Sequence, residues 1–340
     1  MKKNIVVIGS ANMDTTNFLK GDFPEDLTSE CQNEIARPAV RVLGGKGANQ
    51  AVSAKKQAGE NNVYFIGCIG KDAAGIEIIE QLKNMNIDYS GVQVLDGKST
   101  DGRIIFVAGN ENHDNKMFGY GECVKELKPD ILKTEKIDSI IRNADVVVIQ
   151  MKMPSETVEY IVNYCSEKNI PLIIDPTPAD KSPLLTKNGL DLLKKATYLT
   201  PNEEEAYALA QYIEGRTFTE AQVSFKNASE EERREVIKNL VKAYPNVIAT
   251  MGGKGVIYNR DGEVIEKATY PTECKDTTGA GDTFNGALVA ALVRGETLDS
   301  AIEYGLMASS MKVRYEGAQN GMPNYKETKS ALDKAKENMK

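Results

Sequence analysis

An α/β fold is predicted, with a mainly parallel sheet between helices on both faces and a small flap of strands beside it. Three observations carry that expectation. Short β-branched runs alternate with amphipathic ones almost to the C-terminus. Three of the runs end in polar or glycine loops, where ligands sit in open α/β sheets. Two segments, from about Thr15 to Leu43 and from about Ser99 to Gly121, break the alternation without a convincing helix pattern, which makes them the flap.

Taken in order, Ile5–Ile8 is the first buried strand, and Gly47–Ala58 is a helix with small residues on one side and Lys55, Lys56 and Gln57 on the other. Val63–Ile66 is the next strand. Asp72 can cap a helix in which Ile76, Ile79 and Leu82 keep helical spacing. Ile104–Val107 and Val146–Ile149 are strands, and Ser155 starts another helix. Leu172–Ile174 runs into Asp175-Pro176, Tyr198–Thr200 into Pro201-Asn202, and Val247–Thr250 into Met251-Gly252-Gly253. The charged stretch Gln211 to Glu232 is expected to be a solvated loop, with a helix resuming near Ser229. Thr283–Arg294, rich in Ala and Leu, is a helix that Gly295 stops, and Tyr325 to Lys340 is an exposed terminal helix.

Composition excludes several classes of function. The chain is 41% hydrophobic, yet clean apolar runs such as Ile5–Ile8 and Val146–Ile149 are far too short to cross a bilayer. Met-Lys-Lys-Asn leads into only four apolar residues and then Gly9-Ser10, which lacks the longer apolar region of a secretory signal, so a cytoplasmic location is expected. A formal charge of −7 argues against a general nucleic-acid binder. Cys31, Cys68, Cys123, Cys165 and Cys274 are scattered and never form Cys-x-x-Cys, so they are expected to be reduced core thiols. His113 is the only histidine and lies in a polar segment, which disfavours histidine-centred catalysis or metal binding.

The most informative stretch is Asp276 to Arg294. Gly279 and Gly281 allow a tight turn, and a helix starting there aims unpaired N–H groups and the positive end of its dipole at the turn. That is an anion site, suited to a phosphate or to charge developing on one. Asp282 sits at the same helix start. A carboxylate does not help to bind phosphate, so its use there is to accept the proton of a hydroxyl that attacks phosphorus. Taken alone, the stretch also fits a plain turn with Asp282 as a helix cap. Gly44-Gly45-Lys46-Gly47-Ala48-Asn49-Gln50-Ala51 is a second glycine turn opening a helix, and Gly252-Gly253-Lys254-Gly255 is a third. Neither has P-loop spacing, and the first strand leads to Gly9-Ser10-Ala11-Asn12 rather than Gly-x-Gly-x-x-Gly, which disfavours a dinucleotide-binding oxidoreductase.

Together and in order, five blocks resemble the ribokinase family of sugar kinases: Gly9-Ser10-Ala11-Asn12-Met13-Asp14, Gly44–Ala51, Thr200-Pro201-Asn202-Glu203-Glu204-Glu205, Thr250–Gly255 and Asp276–Asn285. The resemblance implies one ribokinase-like domain over 1–340, a sheet between helices, with about 15–43 and 99–121 as a β lid. It implies ATP-dependent phosphorylation of a sugar, ribose first, with Asp282 as general base and the N–H groups of Gly279, Ala280 and Gly281 on the transferring phosphoryl group. Asn202 and Glu205 would help to place Mg²⁺ and the ATP phosphates, the metal contact of Glu205 being indirect; Thr250, Gly252, Gly253, Gly255 and Gly281 would hold the nucleotide. Asp276, with backbone carbonyls of Thr278, Lys312, Tyr315 and Gly317, would form a monovalent-cation site for K⁺, where Gly321 replaces an expected serine. Lid strands in the family commonly pair between subunits, so a homodimer is expected.

Asn12, Asp14, Gly45, Lys46 and Asn49 fall on the sugar-binding positions of the family. Two departures bear on the acceptor. Lys152 stands where a glutamate is expected, and Arg103 lies in the lid where a small residue is usual. Both cations could meet a phosphate or carboxylate on the substrate, or could face solvent or pair with acids such as Asp101 or Glu122. Another pentose, a nucleoside or an anionic sugar therefore remains open as acceptor, as does a sugar sensor without turnover, although an intact Asp282 and glycine turn speak against the last.

Overall fold

The computed structural model describes residues 2–21, 23, 35–108, 114–177 and 187–338. Its first part runs β1 (Asn4–Ile8), β2 (Asn12–Leu19), β3 (Ile35–Gly44), α1 (Lys46–Gln57), β4 (Asn62–Gly70), α2 (Ala73–Asn84), β5 (Asp88–Leu95), β6 (Gly102–Ala108) and β7 (Asp114–Tyr120). The middle holds α3 (Pro129–Leu132), α4 (Glu135–Arg142), β8 (Val146–Gln150), α5 (Ser155–Lys168), β9 (Leu172–Asp175), α6 (Lys187–Leu193), β10 (Tyr198–Leu199), α7 (Glu203–Ile213), α8 (Phe218–Asn227) and α9 (Glu230–Ala243). The last part holds β11 (Ile248–Thr250), β12 (Val256–Arg260), β13 (Glu263–Lys267), α10 (Ala280–Arg294), α11 (Leu298–Lys312) and α12 (Tyr325–Asn338).

Six strands form a parallel sheet in the order β10-β9-β8-β1-β4-β5. Parallel bridges from Leu199 to Val247 and from Asn202 to Thr250 continue it towards the antiparallel β11-β12-β13 sheet. The middle strand β1 has no polar face. Ile5 and Val7 pack with Ala48, Val52, Leu82 and Val289 of α1, α2 and α10, while Val6 and Ile8 pack with Ile137, Val158 and Ile161 of α4 and α5. Burying such a side chain contributes about 1.5–3 kcal/mol, which is why an unbroken apolar run, whose side chains alternate between the two faces, settles between two helix layers. A third cluster joins α10, α11 and α12 to β11 and β12 through Phe284, Leu288, Ile302, Leu306, Leu332 and Ile248.

The two segments without helix patterns form one four-stranded sheet, β3-β2-β6-β7, in which β2 pairs in parallel with β6 and the outer pairs are antiparallel. The register sets Asp14 opposite Arg103.

The structure corrects three expectations. Gln211 to Glu232 is largely helical: α8 starts at a capping box in which Thr217 and Glu220 exchange bonds, so its ends are satisfied locally despite its polar sequence. The resumption at Ser229 holds, through a second box with Glu232. On α2, Asp72 is the cap as expected, but Ile76 is 63% exposed and Ile78 takes the buried position. The terminal helix buries Thr328 and Leu332 rather than lying free. Cys31 and His113 lie outside the described residues.

Candidate active site

Helix α10 begins three residues earlier than its apolar run, at a left-handed Gly279 with φ of 78°. A Cβ there would be strained, and it would collide with the carbonyl of Ala318. The first turn of α10 leaves the N–H groups of Gly281 and Asp282 without helical acceptors. Ala280 differs from expectation: its N–H donates to Thr277 O at 3.0 Å, so it serves the turn itself.

Asp282 is buried beneath this turn and faces α1. Lys46, Asn49, Gln50 and Ser53 share one side of α1 by i, i+3 and i+4 spacing. Asn49 Nδ2 donates to Asp282 Oδ2 at 2.9 Å, Gln50 Nε2 donates to Asp282 Oδ1 at 3.1 Å, and Ser53 Oγ donates to Thr283 O at 2.9 Å. The helices meet this closely because Gly286 faces Ser53, where any Cβ would collide. Burial pushes the Asp282 carboxyl above its ordinary range, opposed by Lys46 and reinforced by Asp175. A raised carboxyl is a stronger base, provided that it is ionised at working pH.

Lys46 Nζ bonds Asp175 Oδ2 at 3.1 Å and lies 3.9 Å from Asp282 Oδ1. Burial alone would lower the Lys46 ammonium, but Asp175, Asp282 and Glu205 outweigh it and hold the group above its ordinary value. Asp175 also accepts from Gln50 Nε2 at 2.8 Å, and Gln150 Nε2 donates to Gln50 Oε1 at 2.7 Å. Asp175, Gln50 and Gln150 were not among the expected site residues. Asp175 ends β9 at the carboxyl edge of the sheet and Gln50 lies within the glycine-turn block, which are the signals that could have found them.

Glu205 is held by a capping box: Asn202 N donates to Glu205 Oε2 at 2.9 Å, Glu205 N donates to Asn202 Oδ1 at 2.9 Å, and Thr177 Oγ1 donates to Glu205 Oε1. Burial and the neighbouring Asp175 raise the Glu205 carboxyl, against the pull of Lys46. Among the described residues no three carboxylates, cysteines or histidines converge to cage a metal. Glu205 and Asp175 fit Mg²⁺ only as partners to a bound phosphate and water.

At the other end of the α1 face, Asn12 and Asp14 project from β2. Among the described residues, Asn12 Oδ1 and Asp14 Oδ1 are buried acceptors without a protein donor, a set that fits sugar hydroxyls. Burial raises the Asp14 carboxyl, offset by Arg103 and Lys152. Arg103 Nη1 lies 4.0 Å from Asp14 Oδ2. Lys152 is lowered by burial and by Arg103, so the two cations share one environment with Asp14. Asp101 accepts from Cys123 N and Val124 N at 2.9 and 3.0 Å and its charge also acts on Lys152, whereas Glu122 pairs with Lys98 and Lys125. Gly45 caps α1, and a Cβ there would fall 2.7 Å from Ser10 O.

A cleft of 420 Å³ opens on the other side of the Gly279 turn, lined by Thr250, Gly252, Gly253, Gly255, Ala280 and Gly281 with Tyr270, Phe284 and Val313. It brings together all the expected nucleotide-loop residues. Asn202 and Glu205 flank it through α7, tied by the Asn202–Thr250 bridge.

The expected potassium site does not fit K⁺. Lys312 is wholly buried, and its Nζ donates to Asp276 O at 3.2 Å and Tyr315 O at 3.3 Å. Asp276 Oδ1 accepts from Thr278 N at 2.8 Å and Oδ2 from Gly317 N at 2.7 Å. Gly321 supplies no side-chain oxygen, and the Tyr315 ring fills the space of any side chain there. The ammonium of Lys312 therefore stands among the oxygens where a free cation was expected.

A buried carboxylate beneath a helix N-terminus, flanked by a nucleotide-sized cleft and a polar acceptor pocket, defines a phosphotransferase acting on a hydroxyl. Comparison with known proteins gives the family. Residues 2–325 match the model of the pfkB family carbohydrate kinase. The chain is 32% identical to the ribokinase of Bacillus subtilis, covering 97% of this chain and 99% of that protein. It is 32% identical to the ribokinase of Lactococcus lactis, covering 98% and 99%. Among solved structures it resembles Arabidopsis thaliana ribokinase complexed with ribose and ATP, at a TM-score of 0.80 and 25% identity over 98% of this chain and 99% of that one. The chain belongs to the pfkB family of carbohydrate kinases.

Proposed function

We propose that the protein transfers the γ-phosphoryl group of ATP to a hydroxyl of D-ribose, giving ribose 5-phosphate. The observation that carries this reading is the buried Asp282 carboxylate at the Gly279 turn, set between the acceptor pocket and the cleft. The acceptors of Asn12 and Asp14 take hydrogen bonds from sugar hydroxyls, and Asn49 and Lys46 orient the end that reacts. Asp282 takes the proton of the attacking hydroxyl. The N–H groups of Gly279 and Gly281, with the helix dipole, stabilise charge that develops on the transferring group. Mg²⁺ bound with the nucleotide would neutralise phosphate charge, with Glu205 and Asp175 as the carboxylates that could hold it.

The four-stranded sheet is proposed to act as a lid, since β2 and β6 carry Asp14 and Arg103 to the acceptor pocket. Its exposed Ile35, Val40, Met117 and Phe118 support a homodimer formed through that sheet. Among the described residues no helix is long and apolar enough to cross a membrane, and a cytoplasmic location is part of the same proposal.

One observation favours a second acceptor class. Lys152 and Arg103 stand together beside Asp14, with Asp101 acting on Lys152 and Glu122 paired with Lys98 and Lys125, so an anionic sugar would meet two cations. ADP release with Mg²⁺·ATP, measured across ribose, deoxyribose, nucleosides, sugar acids and sugar phosphates, separates the readings. Ribose as best substrate supports the first. Turnover confined to an anionic acceptor and lost in Lys152→Glu replaces it with the second, and no turnover with any acceptor sinks both in favour of a sensor.

A further inference from the structure

We infer that the Lys312 ammonium is a built-in substitute for a monovalent cation, and that the protein folds and works without potassium. Lys312 ends α11, where the last carbonyls of a helix favour a positive group. Its Nζ reaches out of the helix to two backbone carbonyls on different loops, Asp276 O and Tyr315 O. The first loop leads into the Gly279 turn, and the second leads through Gly317 to Gln319.

These loops support the catalytic carboxylate from two sides. Gly279 lies directly against the Ala318 carbonyl. Gln319 Nε2 donates to Asn49 Oδ1 at 2.9 Å, and Asn49 Nδ2 donates in turn to Asp282 Oδ2 at 2.9 Å. A cation bridging the loops would hold this arrangement by charge; a tethered ammonium does the same with three donors and no equilibrium to maintain. The rest of the cradle agrees. Each Asp276 carboxylate oxygen accepts a backbone N–H, from Thr278 and from Gly317, and the Tyr315 ring lies against Gly321 where a side-chain oxygen ligand was expected. Lys312 is thus a positioning residue, acting on Asp282 through the loops.

The test compares the purified protein in KCl and in tetramethylammonium chloride at equal ionic strength, by thermal denaturation and by ADP release. Equal Tm and equal rates in both salts are expected. A Tm that rises in KCl alone, or a rate that requires potassium, overturns the inference. The rate comparison rests on the kinase reading; the Tm comparison does not, so absence of turnover would count against that reading only. Lys312→Ala opens space for an ion, and its Tm in tetramethylammonium is expected to fall and to recover on adding KCl. A folded variant indifferent to potassium would overturn the substitution of one cation for the other, and if the variant does not fold the wild-type Tm comparison still decides.

Discussion

Replacing Lys46 with methionine moves the pH dependence of catalysis in a direction and by an amount that the geometry sets. Lys46 Nζ lies 3.9 Å from Asp282 Oδ1. Two unit charges at that separation interact by about 4 kcal/mol at an effective dielectric of about 20, equivalent to about 3 pH units. Lys46 is 30% exposed, and screening by solvent and salt leaves about 1–2 units. The sign follows from the role. Asp282 accepts a proton only when ionised, burial already raises its carboxyl, and Lys46 pulls it down. Removing the ammonium raises it further, while Gln50 Nε2 still donates to both Asp282 and Asp175. The acid limb of kcat/KM, followed by coupled ADP release, should therefore move up by about 1–2 pH units in Lys46→Met, with Lys46→Arg restoring most of it. A limb that stays in place, or moves to lower pH, would refute the assignment of Lys46 as the charge that keeps Asp282 ionised.

Two further outcomes follow from close packing around the site. Gly286→Ala drives a methyl into Ser53 between α10 and α1, which should cost about 1–3 kcal/mol in denaturant unfolding; it should also lower kcat, because the same contact sets Asp282 against Asn49. Gly255→Ala would collide with the Lys267 carbonyl at the edge of the 420 Å³ cleft, so KM for ATP should rise while sugar binding, measured by calorimetry without nucleotide, stays as it is.

Much of this architecture was legible because strands buried on both faces leave unbroken apolar runs: Ile5–Ile8, Val146–Ile149 and Leu172–Ile174 all became neighbours in the main sheet. Segment Gln211 to Glu232 was not, since its helix rests on the Thr217–Glu220 capping box and, among its described side chains, fully buries only Ala221, so the hydrophobic pattern is faint. In the site, glycines and the acid at the α10 start could be read locally. Asp175 and Gln50 carry only the weaker signals of a strand end and a glycine-turn block, because their meaning lies in a contact spanning 125 residues. Lys312 was expected to contribute a backbone carbonyl, and its side chain instead takes the cation's place, which only the fold of α11 against the Asp276 loop reveals.

The central claim is that Asp282 deprotonates a sugar hydroxyl that then attacks the γ-phosphoryl group. It is tested most directly by single-turnover transfer from γ-labelled ATP to ribose in wild type and Asp282→Asn, with binding of both substrates measured in parallel. Transfer slowed by about 10²–10⁴-fold with binding retained is the predicted result. Label appearing on the sugar at a wild-type rate in Asp282→Asn would contradict it.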